Sequence, residues 1–368
     1  MRHKRILIGC LKYGVTAALV AWVVRDAVSH DKFSELIEQP KDWGLLAAAW
    51  GVCMAGVCAT FLRWYLLVRA LALPFRLRDA FRLGFLGYLL NFVSLGSVGG
   101  DLFKAVFIAR EQPGRRTEAV ATVVVDRVFG LYGLLIVATV AILITGQHRS
   151  PAPVIRLVSH ATLIFTGLGA IAIIALLTPG FTKGALSEFL SGLPKVGSHV
   201  SRLITAIRIY RSRPLTVVVA GLMSVGVHVM FVVGIGLIAQ GLPGRSPTLG
   251  RHFVAVPLAL VASALPLPLG SLGAFEKMFD FLYFHVAGAA EGQGILVAVG
   301  FRVVTVLIAL VGMGYYLTSR REVAELMHAA ESELDADQTG QSGDAEFVKT
   351  DRRLDVDQVS RRGAEARR

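Results

Sequence analysis

Apolar runs alternate along this chain with short basic or acidic breaks. Six of the runs, at about residues 6–24, 43–62, 118–145, 154–177, 215–240 and 294–317, are long enough to cross a bilayer as helices. Two further apolar stretches are interrupted. Residues 84–110 read GFLGYLLNFVSLGSVGGDLFKAVFIAR, with a glycine-rich break at residues 95–100, and residues 252–290 are broken by the proline-glycine run LPLPLGSLG at 265–273. Arg63, Arg69, Arg76, Arg78 and Arg82 precede the first of these, and Arg110, Arg115 and Arg116 follow it. Both flanks therefore belong on the cytoplasmic side. A segment that leaves from and returns to one side does not span, so the pattern predicts a re-entrant hairpin of two half-helices. Broken backbone at membrane depth is tolerated only where protein or a water-filled cavity covers it, which places a functional cavity at the turn.

The two interrupted stretches echo one another. Residues 95–99 read LGSVG and residues 269–273 read LGSLG. An acid and then a lysine follow each turn: Asp101 and Lys104 after Gly99 and Gly100, Glu276 and Lys277 after Gly270 and Gly273. An arginine followed by valine lies 26 residues beyond each acid, at Arg127 and Arg302. Counting charges along the chain puts the ends of the first hairpin inside and those of the second outside. The expected architecture is thus an all-α polytopic integral membrane protein, with about six transmembrane helices and two re-entrant half-helix hairpins in an inverted repeat (about 6–146 and 154–318). Residues 1–320 form this transmembrane domain, with both termini cytoplasmic, and residues 321–368 are expected to be a disordered polar tail.

Composition agrees: of 368 residues 54% are hydrophobic and 17% charged, with a mean hydropathy of +0.60. The net charge is +12, but the tail from Arg320 holds nine basic and twelve acidic residues, so the rest of the chain carries +15. That excess sits in short loops on one side, which sets topology and gives no reason to invoke nucleic acid. In residues 178–214, Val196, Val200, Leu203, Ile204 and Ile207 share one helical face among lysines and arginines. A helix lying on the anionic inner leaflet and a solvated linker are both open there. Cys10, Cys53 and Cys58 lie in apolar runs, and the chain has no metal-binding or Walker A motif, so no metal or other cofactor is expected.

The candidate chemistry lies in charges at depth. An isolated ionised side chain in the bilayer costs at least about 2.5 kcal/mol, so several together imply pairing or a wet cavity. Asp126 and Arg127 are adjacent and cannot face one another on a helix; Arg127 is expected to pair with Asp101 or Glu276. Asp101 also reads as the N-cap of its half-helix. Lys104, Lys277 and Arg302 suit a phosphate beside half-helix N-termini, with snorkelling open for the lysines. Asn91, Asp280 and Arg63 complete the set, with Arg63-Trp64-Tyr65 closing the second helix at the interface. Pro266 and Pro268 serve to break the helix before the second turn.

On Arg63-Trp64, Asn91, Gly99-Gly100-Asp101, Asp126-Arg127 and the proline-glycine turn leading to Glu276, the chain resembles the transmembrane, flippase-like domain of the lysylphosphatidylglycerol synthases and its stand-alone relatives. It departs from that family's usual proline-glycine-glycine turn, and has Lys104 where an arginine is common. The resemblance implies a bacterial cytoplasmic (inner) membrane protein that moves an anionic phospholipid or polyprenyl-linked lipid between leaflets, without the family's aminoacyl-transferase domain. A membrane-embedded enzyme modifying a lipid head group, and a non-catalytic scaffold for a separate lipid-synthesising enzyme, are the rival readings. Partners on this view are membrane lipids, with a homo-oligomer or a separate synthase left open.

Overall fold

The computed structural model describes residues 39–93, 99–178, 208–264 and 274–318, and among them all regular structure is helical. The first expected span, most of the 178–214 linker, the turns at 94–98 and 265–273 with Gly270 and Gly273, and the polar tail lie outside the described residues. In order the helices are α1 (Trp43–Ala70), α2 (Leu77–Val93), α3 (Gly99–Glu111), α4 (Arg116–Thr145), α5 (Pro153–Leu177), α6 (Pro214–Gly241), α7 (Leu249–Ala264), α8 (Ala274–His285) and α9 (Gln293–Thr318). A 3-10 turn, Gln147–Arg149, joins α4 to α5. One compact unit holds the chain through Tyr315 and a second runs from Tyr316 to Arg368; the packing and the candidate site lie in the first.

Local chemistry sets the helix limits. Asp42 caps α1 by accepting the Leu45 N–H at 3.0 Å. Gly146 ends α4 in the left-handed conformation, and Pro153 and Pro214 open α5 and α6, where a missing N–H costs nothing. Five helices among the described residues are long and apolar enough to cross a membrane: α1, α4, α6, Pro153–Ala175 of α5 and Gln293–Leu317 of α9. Their outer faces carry bare aliphatic side chains such as Ile144, Leu157, Ile171 and Leu215. In water such a surface would drive aggregation; against lipid it is the expected exterior. This is an integral membrane protein.

The centre is α1 packed lengthwise on α6. The two run antiparallel, because the Asp42 N–H at the start of α1 donates to the Gly241 carbonyl at the end of α6 at 3.0 Å. At the other end the Tyr210 hydroxyl, just before α6, donates to the Leu67 carbonyl at 3.0 Å. Each helix is 28 residues long, or about 42 Å.

The two ends of each interrupted stretch lie close together. Gln112 after α3 donates to the Pro74 carbonyl at 2.8 Å, and Arg115 to the Leu71 carbonyl at 3.0 Å, so α2 and α3 leave from and return to the end of α1. Arg251 at the start of α7 donates to the Ala287 carbonyl after α8 at 2.6 Å, and Gln293 donates to the Arg245 carbonyl at 2.8 Å. The α7–α8 pair therefore closes at the end of α6, opposite to where α2–α3 closes. Helices of the two halves of the chain also pack on one another. Helix α7 lies on α4, while α9 meets α2, where Gly312 faces the Phe85 backbone and Leu89. A side chain at Gly312 would run into the Phe85 carbonyl, so the helices approach this closely only because the residue is glycine.

Two boundaries differ clearly from expectation: α2 begins at Leu77, seven residues before the expected stretch, and α1 runs long. Helix α1 continues past Leu62 to Ala70, and Arg63 and Trp64 are buried inside the protein instead of lying at the interface. Nothing after Leu62 breaks the helix before the turn at residues 71–72, and both side chains find buried hydrogen-bond partners on α4.

Candidate functional site

Helix α3 begins where two backbones nearly touch. A side chain at Gly100 would collide with the Gly87 carbonyl and come within 2.8 Å of Asn91 Oδ1. Asn91 Oδ1 accepts the Gly100 N–H at 2.9 Å, supplying a partner for a helix-terminal amide. Asp101 is thereby corrected from its expected role as N-cap: it sits within the first turn of α3, with its carboxylate aimed at cations. Lys104 Nζ lies 2.8 Å from Asp101 Oδ1, and Arg127 Nε donates to Asp101 Oδ2. The Lys104 ammonium also sits 5.4 Å from the centroid of the buried Trp64 ring. The Arg127 side chain remains 47% exposed.

Residues 126 and 127 point to different neighbours, as adjacency on a helix requires. Asp126 faces α1, where Arg63 Nε donates to its carboxylate at 2.8 Å and Arg63 Nη2 to its carbonyl at 3.2 Å. Arg63 Nη1 donates to Ser224 Oγ on α6 at 2.9 Å. Arg63 is 4% and Asp126 8% exposed, so this knot pins α1, α4 and α6 together. Trp64 adds a bond from its indole N–H to Thr122 Oγ1 at 3.2 Å.

The second short helix repeats the first arrangement in simpler form. Glu276 lies in the first turn of α8 and is 4% exposed. Arg302 on α9 donates to Glu276 Oε1 from Nη2 at 2.7 Å and from Nε at 3.2 Å. Each acid in the first turn of a short helix is thus held by the arginine 26 residues on. Of the weaker candidates, Asp280 accepts the Ile295 N–H at 3.3 Å and so serves the start of α9. Lys277 lies within electrostatic reach of Asp280.

The two halves diverge beside these pairs. Three residues after Asp101 stands Lys104, but three after Glu276 stands Phe279, fully buried and stacked on Phe275 with ring centres 5.6 Å apart. One residue before Arg127 is Asp126, but before Arg302 is Phe301, packed edge-on against Phe231. The first half is polar where the second is aromatic.

Sequence reasoning missed Ser224 and His228, which face Arg63 and the Gly130 carbonyl (2.8 Å). Their spacing of four in the apolar middle of α6 was the available signal. It also missed Tyr88, within electrostatic reach of Arg302, and the buried Tyr283 hydroxyl 2.5 Å from His252 Nε2, which ties α8 to α7. No sequence spacing announces either.

Among the described residues this is an all-helical membrane protein, with an acid–arginine pair at the start of each of two short helices. The sequence model of the family described as the lysylphosphatidylglycerol synthase TM region matches residues 7–312, and the chain belongs to that family. Family membership ties it to a lipid-related role in the membrane. No curated protein and no solved structure matches it.

Proposed function

We propose that the chain is a lipid flippase that moves an anionic phospholipid or polyprenyl-linked lipid between leaflets. The observation that carries this reading is the pair of acid–arginine contacts, Asp101 with Arg127 and Glu276 with Arg302, each in the first turn of a short helix. On this reading α2–α3 and α7–α8 are re-entrant hairpins and the halves are inverted repeats. The support is that the two hairpins close at opposite ends of the antiparallel α1–α6 pair. Arg69, Arg76, Arg78, Arg110 and Arg116 are exposed at the end where α1 stops and α4 begins, which supports a cytoplasmic placement of that end. Arg127 and Arg302 then lie roughly 15 Å along their helices from opposite surfaces.

A phosphate bound near the bilayer middle would exchange between the two arginines while the acyl chains stay in lipid. Each guanidinium offers a planar fork to phosphate oxygens. Each carboxylate holds its arginine in place when no lipid is bound and offsets the cost of a buried charge. Helix N-termini add favourable dipoles for an anion. Movement of this kind is downhill or ion-coupled.

The reading is tested by comparing the leaflet distribution and total composition of anionic lipids in cells with and without the gene. A shifted leaflet distribution at unchanged composition is expected. A change in lipid chemistry, with new or missing head groups, would instead assign a lipid-modifying enzyme.

A further inference from the structure

Near the middle of their length, α4 and α6 almost touch. A side chain at Gly133 would collide with Ser224. One turn further along α6, His228 Nε2 lies 2.8 Å from the Gly130 carbonyl. A carbonyl only accepts, so Nε2 carries the ring hydrogen, and in the neutral ring Nδ1 is a bare acceptor. That Nδ1 is buried and meets no hydrogen-bond partner among the described residues. His228 is the fifteenth of 28 residues in α6 and Gly130 the fifteenth of 30 in α4, which puts the imidazole about 20 Å from either end of both helices. Arg63 stands beside it. A Cβ at Gly130 would lie 3.3 Å from Arg63 Nη2, and the guanidinium is within electrostatic reach of the ring. A neutral amide would serve the Gly130 carbonyl as well. What the imidazole adds is a lone pair that can take up a proton, and ionisable side chains at this depth are the parts from which proton relays are built.

Resting on the lipid-transport reading, we propose that His228 Nδ1 is a proton-binding site that couples lipid movement to a proton. The ring takes a proton from water on one side of the membrane, becomes imidazolium, and returns that proton to water on the other side. Protonation turns Nδ1 from acceptor into donor and sets a second cation beside Arg63, whose carboxylate partner is Asp126. The neutral ring suits the close α4–α6 contact, and the charged ring favours an arrangement in which α4 turns away. Arg127 follows Asp126 on α4 and donates to Asp101, so a turn of α4 carries the proton's effect to the phosphate-binding arginine. Besides Arg63 on α1 and Asp126 on α4, titratable groups approach α6 elsewhere. Cys53 of α1 lies against Gly234 and His252 of α7 against Gly236. Phe231, with its ring centre 6.3 Å from the imidazole, also packs on Phe301 of α9, next to Arg302.

The test uses the purified full chain, with nitrogen-15 in its histidines, in detergent and reconstituted in vesicles with a fluorescent anionic lipid. Spectra recorded from neutral to acid pH should show a ring with Nε2 protonated and Nδ1 bare that gains its second proton. His252 and His285 hold their Nδ1 against carbonyls and so carry the opposite tautomer, which separates their signals from that of His228. His228→Gln keeps an amide N–H for the Gly130 carbonyl and should lose the signal while the chain stays folded. In vesicles, an imposed pH gradient should change the rate of lipid movement by the wild type, and His228→Gln should lose that response. A wild type whose rate ignores the gradient overturns the coupling without any variant. A ring that takes up no second proton, or a folded His228→Gln chain that still responds to the gradient, overturns the assignment of His228. A ring that titrates in a chain that moves no lipid under any gradient would keep the proton site and overturn the transport reading.

Discussion

Cutting the Arg63 and Asp126 pair from either side should cost stability unequally. Arg63 makes two bonds to Asp126 and one to Ser224, all buried. Removing one member of such a pair strands the other, at about 3–5 kcal/mol. A stranded carboxylate can shed its charge by taking up a proton, but a guanidinium cannot. Arg63→Leu is therefore expected near about 3 kcal/mol and Asp126→Leu near about 5. The double variant, which buries no charge, should lose less than either single change. The assay is reversible unfolding of the purified chain in mixed micelles by a rising fraction of sodium dodecyl sulfate, followed by circular dichroism. Single variants within about 0.5 kcal/mol of wild type, or a double variant whose loss is the plain sum, would refute the coupling.

Three other outcomes follow from the same geometry. Gly100→Val should destabilise the chain by about 1–3 kcal/mol in that assay, because its Cβ meets the Gly87 carbonyl; a neutral result would mean that α2 and α3 do not approach so closely. In a chain without its native cysteines, one placed at Ser246 should react with an impermeant outside reagent and one at Arg115 should not; labelling of position 115 from outside would show that residues 84–110 span. Glu276→Gln leaves Arg302 without its carboxylate partner and should slow lipid movement about tenfold while the protein stays monodisperse, whereas an unchanged rate would remove Glu276 from the site.

What could be read in advance was what depends on one chain property at a time. Hydropathy placed α4, α5, α6 and α9 to within two residues, because lipid makes an apolar run sufficient for a helix. The expectation for Arg127 left Asp101 and Glu276 open, and the structure pairs it with Asp101; the pairing of Glu276 with Arg302 went unread, although the matched 26-residue spacing was the available signal. Arg63 was misplaced because a cation near the cytoplasmic end of an apolar run looks interfacial. Its burial depends on Asp126, 63 residues away, and on Ser224, 161 residues away. Contacts across the antiparallel α1 and α6 leave no local trace, and the approach of Tyr88 to Arg302 is hidden for the same reason.

Lipid movement is tested by reconstituting the full chain in vesicles with a fluorescent anionic lipid and following its loss of protection from a membrane-impermeant quencher. The wild type should move the lipid faster than protein-free vesicles, and Arg127→Gln and Arg302→Gln should each slow it at equal protein content. Equal rates for the wild type, both variants and empty vesicles, across several anionic lipids, would contradict it.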